Sequence, residues 1–151
     1  MIRILVPLAL VLGLAVGEAA AAKLEPRYSA ALQGLESVAL VVEGRVADGC
    51  WPSPGETKAQ IEERLRARGV GVRTEGNGRS ALYLFVQGYS VDGGKTCVWF
   101  VDLTHVGWSG PYSLLRGRKT SAQQRVRDSF YKLVDIFAAD RALSNEAVTP
   151  Q

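Results

Sequence analysis

Four residues in the middle of the chain constrain its fold more than any others: Asp92-Gly93-Gly94-Lys95. They separate two long runs, 80–91 and 95–106, both rich in β-branched and aromatic residues. Paired glycines reach positive φ without steric cost, and the tight turns that match strand twist require it. The tetrapeptide therefore predicts a β-hairpin, with Asp92 opposite Lys95. Side chains alternate between the faces of a strand, so this register also sorts the residues. Leu84 meets Leu103, Val86 meets Val101, Gly88 meets Trp99 and Leu82 meets His105, all on one face. That face is the expected core, with Gly88 leaving room for the indole opposite. The other face carries Tyr83, Phe85, Tyr89, Val98 and Phe100 among Gln87, Asp102 and Thr104.

The remaining elements follow from local signals. Residues 37–43 form a short β-branched run and a strand. Residues 47–55 hold Gly49, Pro52, Pro54 and Gly55 and read as a loop. Ser53-Pro54-Gly55-Glu56 matches a capping box that opens a helix over 54–68, stopped by Gly69. Its apolar stripe is thin, carried by Ile61 and Leu65 with Ala59 marginal, and its other face is charged. Residues 70–75 read as a strand and Gly76-Asn77-Gly78 as the turn after it. Residues 107–118 read as a loop. Val126, Phe130, Leu133, Val134 and Phe137 recur at helical spacing in a long final helix that Thr120 or Ser121 can cap. The order is strand, helix, three strands, helix. It predicts an α+β fold: a four-stranded, mostly antiparallel sheet with both helices on one face. Residues 23–145 make a single domain, with 23–35 a loose lead-in and 146–151 a flexible tail.

The N-terminus points to export. Arg3 precedes an uncharged apolar stretch over 4–16, and alanines follow at 19–22. This is the pattern of a bacterial secretory signal peptide, 1–22, with cleavage after Ala22. The stretch is shorter than the ~20 residues of a membrane span. The expected location is the periplasm or the outside of the cell, with no transmembrane span after cleavage and room for peripheral membrane contact. Cys50 and Cys97, an even pair in an oxidising compartment, are candidates for a disulfide. The simplest topology sets them at opposite ends of the sheet, so residues 47–53 would have to fold back. Two buried thiols are the alternative.

Composition excludes more than it proposes. Hydrophobic residues are 47% and charged residues 22%, ordinary for a globular domain, and the net charge is +3. Arg3 and Glu18 would leave together with the leader, so the charge stays +3. That is too small to argue for nucleic acid. Two cysteines and one histidine fall short of a structural zinc set, and no cofactor is implied. Gly94-Lys95-Thr96 resembles the end of a phosphate-binding loop, but Tyr89 stands where the motif needs glycine and a strand follows instead of a helix. Gly107-Trp108-Ser109-Gly110-Pro111 resembles a nucleophile elbow with Pro111 in place of its last glycine. His105 has no nucleophile or carboxylate nearby in sequence, and Glu75, Asp92 and Asp102 look like ordinary solvated charge.

The element order resembles that of small bacterial envelope proteins such as the lipopolysaccharide-assembly lipoprotein. That family's lipid-anchoring cysteine is absent, and no residue role carries over. Two surface features stand out. Tyr83, Phe85, Tyr89 and Phe100 would form an aromatic patch if both helices cover the other side of the sheet, unless the lead-in or the Trp108–Tyr112 segment lies over it. Arg116, Arg118 and Lys119, extended by Arg125 and Arg127, form a basic cluster suited to an anionic partner. The expected function is a non-enzymatic exported module that binds a protein or envelope component, or itself, through the open sheet face. A small-ligand carrier with a pocket near Trp99 and Trp108 is the alternative, and a small hydrolase stands last.

Overall fold

A computed structural model describes residues 24–46, 49–50, 54–76 and 79–147. The expected leader, the Ser53 cap and the end of the tail lie outside them. Six strands and two helices follow in the order β1 (Ser37–Val46), α1 (Pro54–Ala67), β2 (Gly71–Arg73), β3 (Ala81–Val91), β4 (Thr96–His105), β5 (Trp108–Ser109), β6 (Ser113–Arg118) and α2 (Ala122–Glu146).

The hairpin forms in the expected register: Leu82 pairs with His105, Leu84 with Leu103, Val86 with Val101 and Gly88 with Trp99. Gly93 and Gly94 both take positive φ, 64° and 87°. Trp99 is fully buried, and a Cβ on Gly88 would come within 3.0 Å of its ring and 2.8 Å of Val46. Helix α1 buries Thr57, Ile61 and Leu65, spaced four apart, while Ala59 stays exposed. Gly69, at φ 73°, ends it in a Schellman motif. Its N–H donates to the Arg66 carbonyl at 3.0 Å, and the Val70 N–H donates to the Leu65 carbonyl at 3.0 Å. Ile61 and Leu65 join Val126, Phe130, Leu133, Val134 and Phe137 of α2 over the buried sheet face, so both helices share that side. Asp135 of α2 clamps α1, accepting bonds from Arg64 and Arg68 at 2.6–2.9 Å.

The sheet itself departs from expectation. It has six strands and is mixed, not four and mostly antiparallel. The strand order is β2-β1-β3-β4-β5, with β6 also paired to β4. β1 runs parallel to both β2 and β3. β2 and β3 therefore form no hairpin; they lie on opposite sides of β1. Gly76 sits close against β1, where a Cβ on it would fall 2.5 Å from the Cβ of Ala39. Residues 107–118 are no loop either. Gly107, at φ 77°, turns the chain so that His105 pairs with Trp108, and β6 then lines the rest of β4.

The same change of direction settles the cysteines. With β3 parallel to β1, both strands end where β4 begins, and Cys50 and Cys97 are bridged with Cα atoms 5.8 Å apart. Trp99 Nε1 donates to the Cys50 carbonyl at 2.7 Å beside the bridge. The lead-in is not loose. Leu32 is fully buried, the Arg27 amide donates to Asp140 at 2.7 Å, and the Ser29 amide donates to Ser144 at 2.9 Å, tying the segment to α2.

Candidate interaction surface

The helices cover one face of the sheet; the opposite face carries the candidate residues. Odd-numbered side chains of β3 point there, and Tyr83, Phe85 and Tyr89 are 38%, 40% and 54% exposed. Phe100 is half-buried because Tyr112 stacks on it, ring centroids 5.7 Å apart. Tyr112 and Leu114 are both 71% exposed. Neither the lead-in nor the segment around Trp108 covers this face, apart from the single ring of Tyr112. Tyr89 is oriented by Gln87, whose side-chain amide donates to its hydroxyl.

Pairing of β6 with β4 unites two features that the sequence kept apart. Leu114 lies beside Phe100, Arg116 beside Val98 and Arg118 beside Thr96, so they share the aromatic face. Val98 in turn pairs with Tyr89. The aromatic patch and the arginines of the basic cluster are one surface, with Arg116 and Arg118 along its hairpin end, while Lys119 follows β6 in a short turn with its side chain against Gly49. Arg116 is held by Asp92 at 3.3 Å; among the described residues Arg118 and Lys119 have no ion-pair partner. Across β3, Glu43 pairs with Phe85 and Arg45 with Gln87, so the far side of the face carries both signs. Tyr112 and Leu114 were missed because Gly110-Pro111 and Gly117 disguise the flanking segment as a loop. The alternation of Leu114, Arg116 and Arg118 was the available signal.

The other candidates are accounted for by packing. His105 is buried, with Nδ1 3.1 Å from the Val106 carbonyl and Nε2 3.0 Å from the Arg79 carbonyl. Glu75, Asp92 and Asp102 fall at separate points: a connection, a hairpin tip and the middle of β4. The two tryptophans proposed to line a ligand pocket are core residues. Trp108 packs edge-on against Phe137 at 5.1 Å and donates to buried Asp140 at 2.9 Å. An open groove of about 390 Å³ does exist at the His105 end of the sheet, lined by Leu35, Arg79, His105 and Gly107 among others. Among the described residues no group of His, Cys, Asp and Glu is placed to hold a metal, and no helix is long and apolar enough to cross a membrane.

No protein-family model and no curated protein matches the chain. Among solved structures it is similar to the PelC L103M dodecamer from Paraburkholderia phytofirmans, with 18% identity and a TM-score of 0.47 over 78% of this chain and 96% of that one. It is also similar to the rare lipoprotein B from Shewanella oneidensis, with 20% identity and a TM-score of 0.26 over 72% of this chain and 93% of that one.

Proposed function

We propose that this is an exported, non-enzymatic domain of the periplasm or cell exterior that binds a protein or envelope component through the open face of its sheet. One observation carries the reading: Tyr83, Phe85, Tyr89, Tyr112 and Leu114 stand exposed together on a sheet face that nothing among the described residues covers. Exposed aromatic clusters rimmed by polar groups are typical of contact surfaces, with Tyr and Arg prominent in them. Arg116 and Arg118 supply such a rim, with Lys119 next to them in the chain, and suit a partner with anionic groups beside its apolar patch. Export is supported by the 4–16 apolar stretch behind Arg3 and by the Cys50–Cys97 bridge, which belongs to an oxidising compartment.

The test is crosslinking in the native host, comparing the wild-type chain with Tyr83→Ser/Phe85→Ser. Both rings lie outside the core, so the variant keeps its fold and its thermal transition. If each ring contributes about 2 kcal/mol, its loss weakens binding about thirtyfold or more. Crosslinks within 83–100 disappear in the variant if the reading is right. A partner captured equally by both proteins would place the contact elsewhere.

A further inference from the structure

The β1 strand is ten residues long but is paired on its outer side only at 37–39, where β2 lies. Beyond Arg73 that edge is open. The Ala39 N–H donates to the Ser80 carbonyl on the β3 side, so odd-numbered residues of β1 direct their backbone groups inward to β3. The even-numbered Val42, Gly44 and Val46 therefore direct theirs outward, and among the described residues nothing pairs with them. A groove of about 360 Å³ runs into the Arg73 end of this edge, between β1, Pro54 and Lys58 of α1, and Gly76. Unpaired edges of this kind are templates for strand addition.

The sequence of the edge says which strand fits. Val42-Glu43-Gly44-Arg45-Val46 reverses its own charge about Gly44. We infer that the β1 edge pairs with the β1 edge of a second copy, antiparallel and two-fold symmetric about Gly44, with Glu43 of each chain opposite Arg45 of the other. The backbone agrees with this register. Gly44 would face Gly44, and Val42 would face Val46, all outward-directed and so forming hydrogen-bonded pairs. Glu43 and Arg45 fall at the non-hydrogen-bonded sites, where opposed side chains come closest. Slipping the register by two residues in either direction sets Glu43 against Glu43 or Arg45 against Arg45, so charge selects one alignment. Both side chains are exposed and neither has an ion-pair partner among the described residues.

A two-fold axis through an antiparallel strand pair stands perpendicular to the sheet. The aromatic faces of both copies then lie on the same side of one continuous sheet. The dimer does not depend on what that face binds, and its failure would leave the open-face reading standing.

The test is sedimentation velocity of the wild type and of charge reversals, with circular dichroism to confirm the fold. The wild type should dimerise at micromolar concentration. Glu43→Arg and Arg45→Glu each place like charges across the axis twice and should raise the dissociation constant about tenfold or more. The double variant Glu43→Arg/Arg45→Glu restores opposite pairs and should recover the dimer. Gly44→Pro, which removes an outward-directed donor not used by β3, should be folded and monomeric. A monomeric wild type, single reversals that dimerise normally, a folded double variant that stays monomeric, or a dimeric Gly44→Pro would each overturn the inference.

Discussion

At the scale of single residues, the packing around Trp99 explains the choice of Gly88. The indole lies across the position where any other residue would carry a side chain, and Val46 closes the space from β1. Gly88→Ala removes the entropic penalty of glycine in a strand, yet the added methyl must displace Val46 or the ring. The net effect expected is a loss of about 1–3 kcal/mol, read as a lower urea midpoint; an unchanged midpoint would show that the two neighbours yield freely. This contact was legible in the sequence, because paired glycines at 93 and 94 set the register and the register set glycine against tryptophan. The role of Gly76 was not. A glycine beside a turn reads the same whether the next strand pairs with the last or lies on the far side of a neighbour, and only the proximity of Ala39 distinguishes them.

At the scale of elements, α1 is held to the sheet by a narrow stripe and to α2 by ion pairs. Burial alone would raise the Asp135 carboxyl, but hydrogen bonds from Arg64 and Arg68, with their charges, outweigh it and hold the group below the ordinary carboxylate value. The hydrogen bond to Asp135 in turn pushes the Arg64 guanidinium above its ordinary value. The sign of the linkage follows. A carboxyl with a lowered folded pKa stabilises the fold fully above its unfolded value, about 3.9, and the gain is lost as pH falls through the folded value. Asp135→Asn should therefore be less stable than wild type at pH 7, with the gap closing toward pH 3 in paired urea titrations. A gap that did not change with pH would mean the clamp contributes nothing through its charge. The helices and the hairpin were readable because their signals are local and periodic. The short strands β5 and β6 were not, since both borrow their pairing from β4 and are interrupted by Gly107, Gly110 and Gly117.

At the scale of the whole molecule, the disulfide joins the two halves of the chain at one end of the sheet, across a sequence separation of 47 residues. By the chain-entropy account, closing such a loop contributes about 4 kcal/mol. Cys50→Ser/Cys97→Ser should lose about that much in urea unfolding, and dithiothreitol should bring wild type to the same value; a reduced protein as stable as the oxidised one would contradict this. The location of the bridge could not be read from the sequence because it depends on the direction of β3, a property of three strands at once. The united aromatic and basic face escaped for the same reason: it exists only once β6 is laid beside β4.

The place of β1 between β2 and β3 has a consequence for how the chain is made. The first strand sits inside the sheet, yet its long neighbour on one side is β3, whose residues come about forty positions later. The short β2 cannot replace it. A ribosome that has released only the first half of the chain has released a β1 that can pair with β2 at 37–39 alone. Until the hairpin arrives, the long flank of β1 has nothing to bond to, and a chain halted there should be cut readily by proteases.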